Sequence, residues 1–115
     1  MEQPLSHGQL ELSALTATTL RVAGQTDREF LQSVYADSRK EEMAKVFGWT
    51  DEQKQTFLKT QFDAQDTYYR EHYVHHEFYV ICHLGLDVGR LYLERKPDSI
   101  CIMDIAVLHK HRRKG

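Results

Sequence analysis

Apolar and polar positions change period along the chain, and those changes mark its elements. Thr18 to Ala23 (TTLRVA) sets Leu20 and Val22 between polar neighbours, the pattern of a short half-buried strand. Gly24-Gln25 turns the chain and Thr26-Asp27 offers a helix cap. Phe30, Leu31, Val34 and Tyr35 then fall at helical spacing, to about Arg39. Ser38 to Gly48 (SRKEEMAKVFG) is rich in helix formers, with Met43, Val46 and Phe47 as a partial apolar face and Gly48 as a stop. Thr50, with Gln53 three residues on, has the capping-box spacing. Behind it, Phe57, Leu58, Gln61, Phe62, Gln65 and Tyr69 form one stripe, predicting a helix to about Tyr73 or to an earlier end near Asp66.

From Glu77 the period becomes two. Phe78, Val80, Cys82 and Leu84 share one face of a strand, with Tyr79, Ile81 and His83 on the other. Gly85-Leu86-Asp87 connects it to Val88–Arg95, where Leu91 and Leu93 oppose Arg90, Tyr92 and Glu94. Lys96-Pro97-Asp98-Ser99 reads as a turn. Ile100 to Leu108 is apolar on both faces except for Asp104, which predicts that both faces are covered. The order β-α-α-β-β-β, with three consecutive strands on short turns, predicts an α+β fold: an antiparallel meander flanked by helices.

At 115 residues the chain allows one domain, and 41% hydrophobic residues allow it a small core. The net charge of −2 argues against a dedicated nucleic-acid binder. Charge is nevertheless uneven, because everything from His109 to Gly115 is His, Lys, Arg or Gly. No apolar run approaches a membrane span, and no signal-peptide pattern opens the chain, so a cytoplasmic protein is expected. Cys82 and Cys101 lie inside predicted strands and read as reduced core residues. Residues 1–17 lack periodicity and read as a flexible tail or a vector remnant, leaving 18–115 as the domain.

The chemistry gathers at the end. Asp104-Ile105-Ala106-Val107-Leu108-His109-Lys110-His111-Arg112-Arg113-Lys114-Gly115 runs from an apolar strand through a basic turn to a glycine, the pattern of a chain that receives a phosphate. With the strand and capped helix from Thr19 and the meander, this stretch resembles the GNAT superfamily of N-acetyltransferases. That family's signature is Arg or Gln, two residues, Gly, one residue, then Gly or Ala, directly after its fourth strand. Arg112, Arg113, Lys114 and Gly115 match the first four positions, and the sequence stops before the fifth. The resemblance covers roughly residues 18–115, the N-terminal half to two-thirds of such a domain, so the chain is expected to be an incomplete domain inactive alone.

The resemblance implies acetyl-CoA as co-substrate and an amine as acceptor, joined by direct attack on the thioester. It implies that backbone groups of Ile105, Ala106, Val107, Leu108 and His109 hold the pantetheine arm. Arg112, Arg113, Lys114 and Gly115 take the pyrophosphate, and a strand N–H polarises the acyl carbonyl. Several members place a Glu at the position of Ile102; Asp104, two residues on and expected on the same face, is the candidate base or water-positioner, against the reading of a hydrogen-bonded structural acid. Arg39, Phe47, Trp49, Tyr68 and Tyr69 fall in the helical region that lines the acceptor pocket of the family. His72, His75, His76 and Glu77 lack the spacing of zinc hydrolases and read as a solvated helix end, so no metal is expected. Two non-enzymatic alternatives are a self-associating or partner-binding module and a basic tail that contacts nucleic acid. In the first, an exposed fourth strand joins copies into a homo-oligomer.

Overall fold

A computed structural model describes residues 17–112, so the expected tail before Ala17 lies outside them. The elements are β1 (Thr18–Val22), α1 (Arg28–Ser38), α2 (Lys40–Ala44), α3 (Asp51–His72), β2 (His76–His83), β3 (Leu86–Lys96) and β4 (Ser99–Val107). Single 3-10 turns occupy Gln25–Asp27 and His109–His111. The strands form one antiparallel sheet in the order β1-β2-β3-β4, and the fold is α+β. Among the described residues no helix is long and apolar enough to cross a membrane.

Thr50 opens α3 as its spacing predicts. Its Oγ1 accepts from the Gln53 N–H at 3.1 Å, and Gln53 Oε1 accepts from the Thr50 N–H at 2.8 Å. The helix runs unbroken for 22 residues, past Asp66. Asp66 is buried on it, held by Arg28 at 3.1 Å and Arg70 at 2.9 Å, which ties α3 to the start of α1.

Three local expectations change. Asp27 stands at the N-cap of α1 but makes no capping bond. Its carboxylate instead accepts from the Gly24 N–H at 2.8 Å and from Arg21 Nη1 of β1 at 2.8 Å, because a backbone donor and a guanidinium together outbid a helix amide. Those two contacts, the Gly24 N–H first, hold the Asp27 carboxyl below its ordinary range. The β2–β3 turn is Leu84-Gly85, one residue earlier than expected. Both have positive φ, 51° and 81°, the geometry of a tight two-residue hairpin, so Leu84 leaves the strand stripe. Phe47 is 89% exposed rather than part of an apolar face, since α2 ends at Ala44 and Gly48 turns the chain away at φ 86°.

The core lies on one face of the sheet. Leu31 and Tyr35 of α1 and Leu58 and Phe62 of α3 pack on Phe78, Val80 and Tyr92. Phe78 and Tyr92 stack with ring centroids 4.1 Å apart. Directly opposed strand residues share a face, so the register places Arg90, Tyr92, Asp104 and Ala106 on this side. Leu20, Val22, Leu91, Leu93, Ile102 and Ile105 fall on the other.

β4 is therefore not covered on both faces. Ile100, Ile102 and Ile105 are exposed, because among the described residues no strand pairs with its outer edge and the core takes residues from the other face. Cys101 is exposed with them rather than in the core; Cys82 is half-buried, and both are free thiols.

Candidate functional site

β3 and β4 approach closely where β4 ends. Gly89 faces Val107, and a Cβ built on Gly89 would lie 2.3 Å from the Ala106 carbonyl oxygen. Only glycine permits that approach. The pairing continues one residue further, with the Leu108 N–H donating to the Val88 carbonyl at 2.8 Å. Since backbone groups alternate direction along a strand, an inward Leu108 N–H turns the backbone of Val107, and of Ile105 before it, toward the open edge. The Val107 carbonyl does face outward, where it accepts from Arg112 Nε at 2.8 Å.

The turn after β4 is anchored to α1. Asp37 Oδ2 accepts from the His109 N–H at 2.8 Å and pairs with His109 Nδ1 at 2.6 Å. On the ring's other side, His109 Nε2 lies 3.3 Å from Arg112 Nη1 and 4.0 Å from Glu41 of α2. Burial pushes the Asp37 carboxyl up, but bonds from the His109 ring and backbone, with the charges of His109 and Arg112, outweigh it and hold the group below its ordinary value. Sequence reasoning missed Asp37. A signal was present: an acid near the C-terminus of a helix opposes the helix dipole and needs another partner.

Asp104 lies deeper. It ion-pairs with Arg90 Nη2, and the same nitrogen donates to Gln65 Oε1 of α3 at 3.0 Å. Arg90 is 2% exposed, with its guanidinium 4.6 Å from the Tyr92 ring centroid and 5.5 Å from that of Tyr35. Arg90 Nε and Nη1 and the Tyr92 hydroxyl are buried without a partner among the described residues. Desolvation raises the Tyr92 and Tyr69 phenols beside it, against the pull of Arg90. Asp104 does not share a face with Ile102. Tyr92 opposes Asp104 while Leu93 opposes Ile102, so Met103 is the extra residue of a β-bulge that reverses the alternation between them.

The other residues expected to bear function are scattered. Arg39 reaches the Tyr35 hydroxyl at 2.7 Å and Glu42 at 2.9 Å, close behind the Asp37 anchor. Trp49 packs edge-on against Phe57 at the start of α3. Tyr68 stacks on His72 at 4.1 Å near its end. A helix of that length separates these two rings by about 30 Å, so Trp49 and Tyr68 do not line one cavity. His72 closes α3 and His76 opens β2, so the two do not share a helix face. Arg113, Lys114 and Gly115 lie outside the described residues.

No family model and no curated protein sequence matches this chain. A solved structure with a similar fold is the PaiA N-acetyltransferase from Thermoplasma acidophilum in complex with coenzyme A. The likeness has a TM-score of 0.56 and 13% sequence identity, and covers 84% of this chain and 62% of that one. The chain thus spans less than two-thirds of the length of the acetyltransferase whose fold it shares.

Proposed function

We propose that this chain belongs to an N-acyltransferase that moves an acyl group from acetyl-CoA to an amine by direct attack. The observation behind the proposal is β4, a bulged strand with an outward backbone edge that runs into a basic turn, on the fold of an N-acetyltransferase. The residues present suit such a ligand. Ile105 and Val107 offer outward backbone groups for the amide-bearing arm, and Gly89 keeps that edge in place. Ala106, Leu108 and His109 hold the strand end from inside. Arg112 brings a guanidinium to the phosphate side, and Arg113, Lys114 and the Gly115 backbone are assigned to the pyrophosphate with it.

In this reading the amine nitrogen bonds to the acyl carbon, the carbon–sulfur bond breaks, and the amine proton passes through water to the departing thiolate. The N–H of Ile105 or Val107 holds the carbonyl oxygen as charge gathers on it. Asp104, its carboxylate paired with Arg90, is assigned the role of base or water-positioner. The acceptor approaches near Asp104 and Arg39, apart from Phe47, Trp49 and Tyr68. Calorimetric titration with acetyl-CoA, on this chain and on a form continuing past Gly115, tests the proposal. Saturable binding by the longer form is expected, and its absence would refute the reading.

A further inference from the structure

We infer that Arg112 is a latch on the open edge of β4, one that a phosphate releases, and that it makes this edge select phosphate-bearing acyl carriers over phosphate-free ones. The inference rests on the acyl-CoA reading above. It starts from the fact that the outward Val107 carbonyl is already occupied, by Arg112 Nε at 2.8 Å. An arm that pairs with this edge needs that carbonyl as an acceptor, so arm and guanidinium compete for it.

The latch has a second, longer contact. Arg112 Nη1 reaches His109 Nε2 at 3.3 Å, at the long end for a nitrogen donor. Asp37 grips His109 by ring and backbone, so the imidazole stays behind when Arg112 leaves. The Val107 carbonyl is an uncharged acceptor. A phosphate offers charged oxygens in a geometry the planar guanidinium matches bidentately, so it adds ion pairing and a second bond to what the carbonyl provides. The Arg112 side chain is exposed, and it follows the single 3-10 turn His109–His111 in extended conformation, so it can swing without disturbing β4.

The two classes of carrier therefore meet different edges. A CoA thioester supplies phosphate to Arg112 and takes the vacated Val107 carbonyl with its arm. A pantetheine thioester must displace Arg112 and gives it nothing in return. The distinguishing consequence is a change of opposite sign on the two ligands.

The test titrates acetyl-CoA and S-acetylpantetheine into a form of the chain that continues past Gly115 and into the Arg112→Met variant of that form. The variant is expected to bind acetyl-CoA about tenfold more weakly, the loss of roughly one charge-assisted hydrogen bond, and S-acetylpantetheine several-fold more tightly. In parallel, inorganic pyrophosphate added to the wild type should shift the Val107 carbonyl carbon resonance and leave that of the variant unmoved. If the variant binds both ligands more weakly, or S-acetylpantetheine no better, the latch is refuted while the acyl-CoA reading stands. If neither protein binds either ligand, the acyl-CoA reading fails and the latch falls with it.

Discussion

On the helix side of the sheet, Phe62, Phe78 and Tyr92 are closed from solvent and even the Arg90 guanidinium is buried; on the opposite side Ile100, Ile102 and Ile105 each lie more than half exposed. The most apolar strand in the chain thus has more solvent contact than the guanidinium of Arg90. What separates the two faces is the supply of partners rather than hydrophobicity. α1 and α3 bring Tyr35, Phe62, Gln65 and Tyr69 over one face, enough to enclose a charge with its counter-ion and two rings. A run of β-branched residues is only permission to be buried, and whether it is depends on what packs against it.

The largest expected contrast comes from one substitution on each face. Phe62→Ala should cost about 3–5 kcal/mol in chemical denaturation, the range for a buried aromatic. Ile102→Lys should move stability by about 0.5 kcal/mol or less, and should reduce any self-association seen by light scattering. A large loss from Ile102→Lys would mean that the open face is covered in solution.

The second contrast lies within the closed face. Asp104→Leu leaves Arg90 buried without its counter-ion and should cost about 3 kcal/mol, while Arg90→Met combined with Asp104→Leu should recover most of that. Equal losses in single and double variants would show that the pair is not coupled.

The smallest effects are those of pH. Asp37 and Glu77 are both held below their ordinary values. For Glu77 the value is about 2, through Arg95 first and then Tyr79. A carboxyl depressed on folding contributes stability that is present above its unfolded value, near 4, and is lost as pH falls through the folded one. Asp37→Asn should therefore flatten the acid limb of the unfolding midpoint below about pH 5, by about 1 kcal/mol. Glu77→Gln, on the exposed face, should shift that limb less, because water screens its partners. A larger shift from Glu77→Gln would reverse the ranking of the two faces.

What the sequence disclosed, and what it hid, follows the range of the interactions. The Thr50–Gln53 cap and the meander rest on near neighbours, and their spacing was legible, while spacing leaves the end of α3 open between Asp66 and Tyr73. The Met103 bulge was not, since one inserted residue leaves the composition of a strand untouched and turns every later side chain over. That insertion, rather than any change of residue, removed Asp104 from the face of Ile102. The alternation sets Arg90 opposite Leu91 and Leu93 without saying which face is buried, and its burial depends on Gln65 and Tyr35, far away in sequence. Asp37 and His109 belong to one site only because α1 ends beside the turn after β4, which no local pattern encodes.

The register of β1 has a consequence for the order in which the fold assembles. β2, β3 and β4 close on two-residue turns and can zip as neighbours, whereas β1 meets β2 only across the whole helical region, with Thr18 opposite His83 and Val22 opposite Tyr79. Loop entropy makes such a distant closure the slow one. Arg21 then clasps Asp27 at the start of the helical region and Asp87 on β3, riveting the latecomer to both sides of the gap it closes.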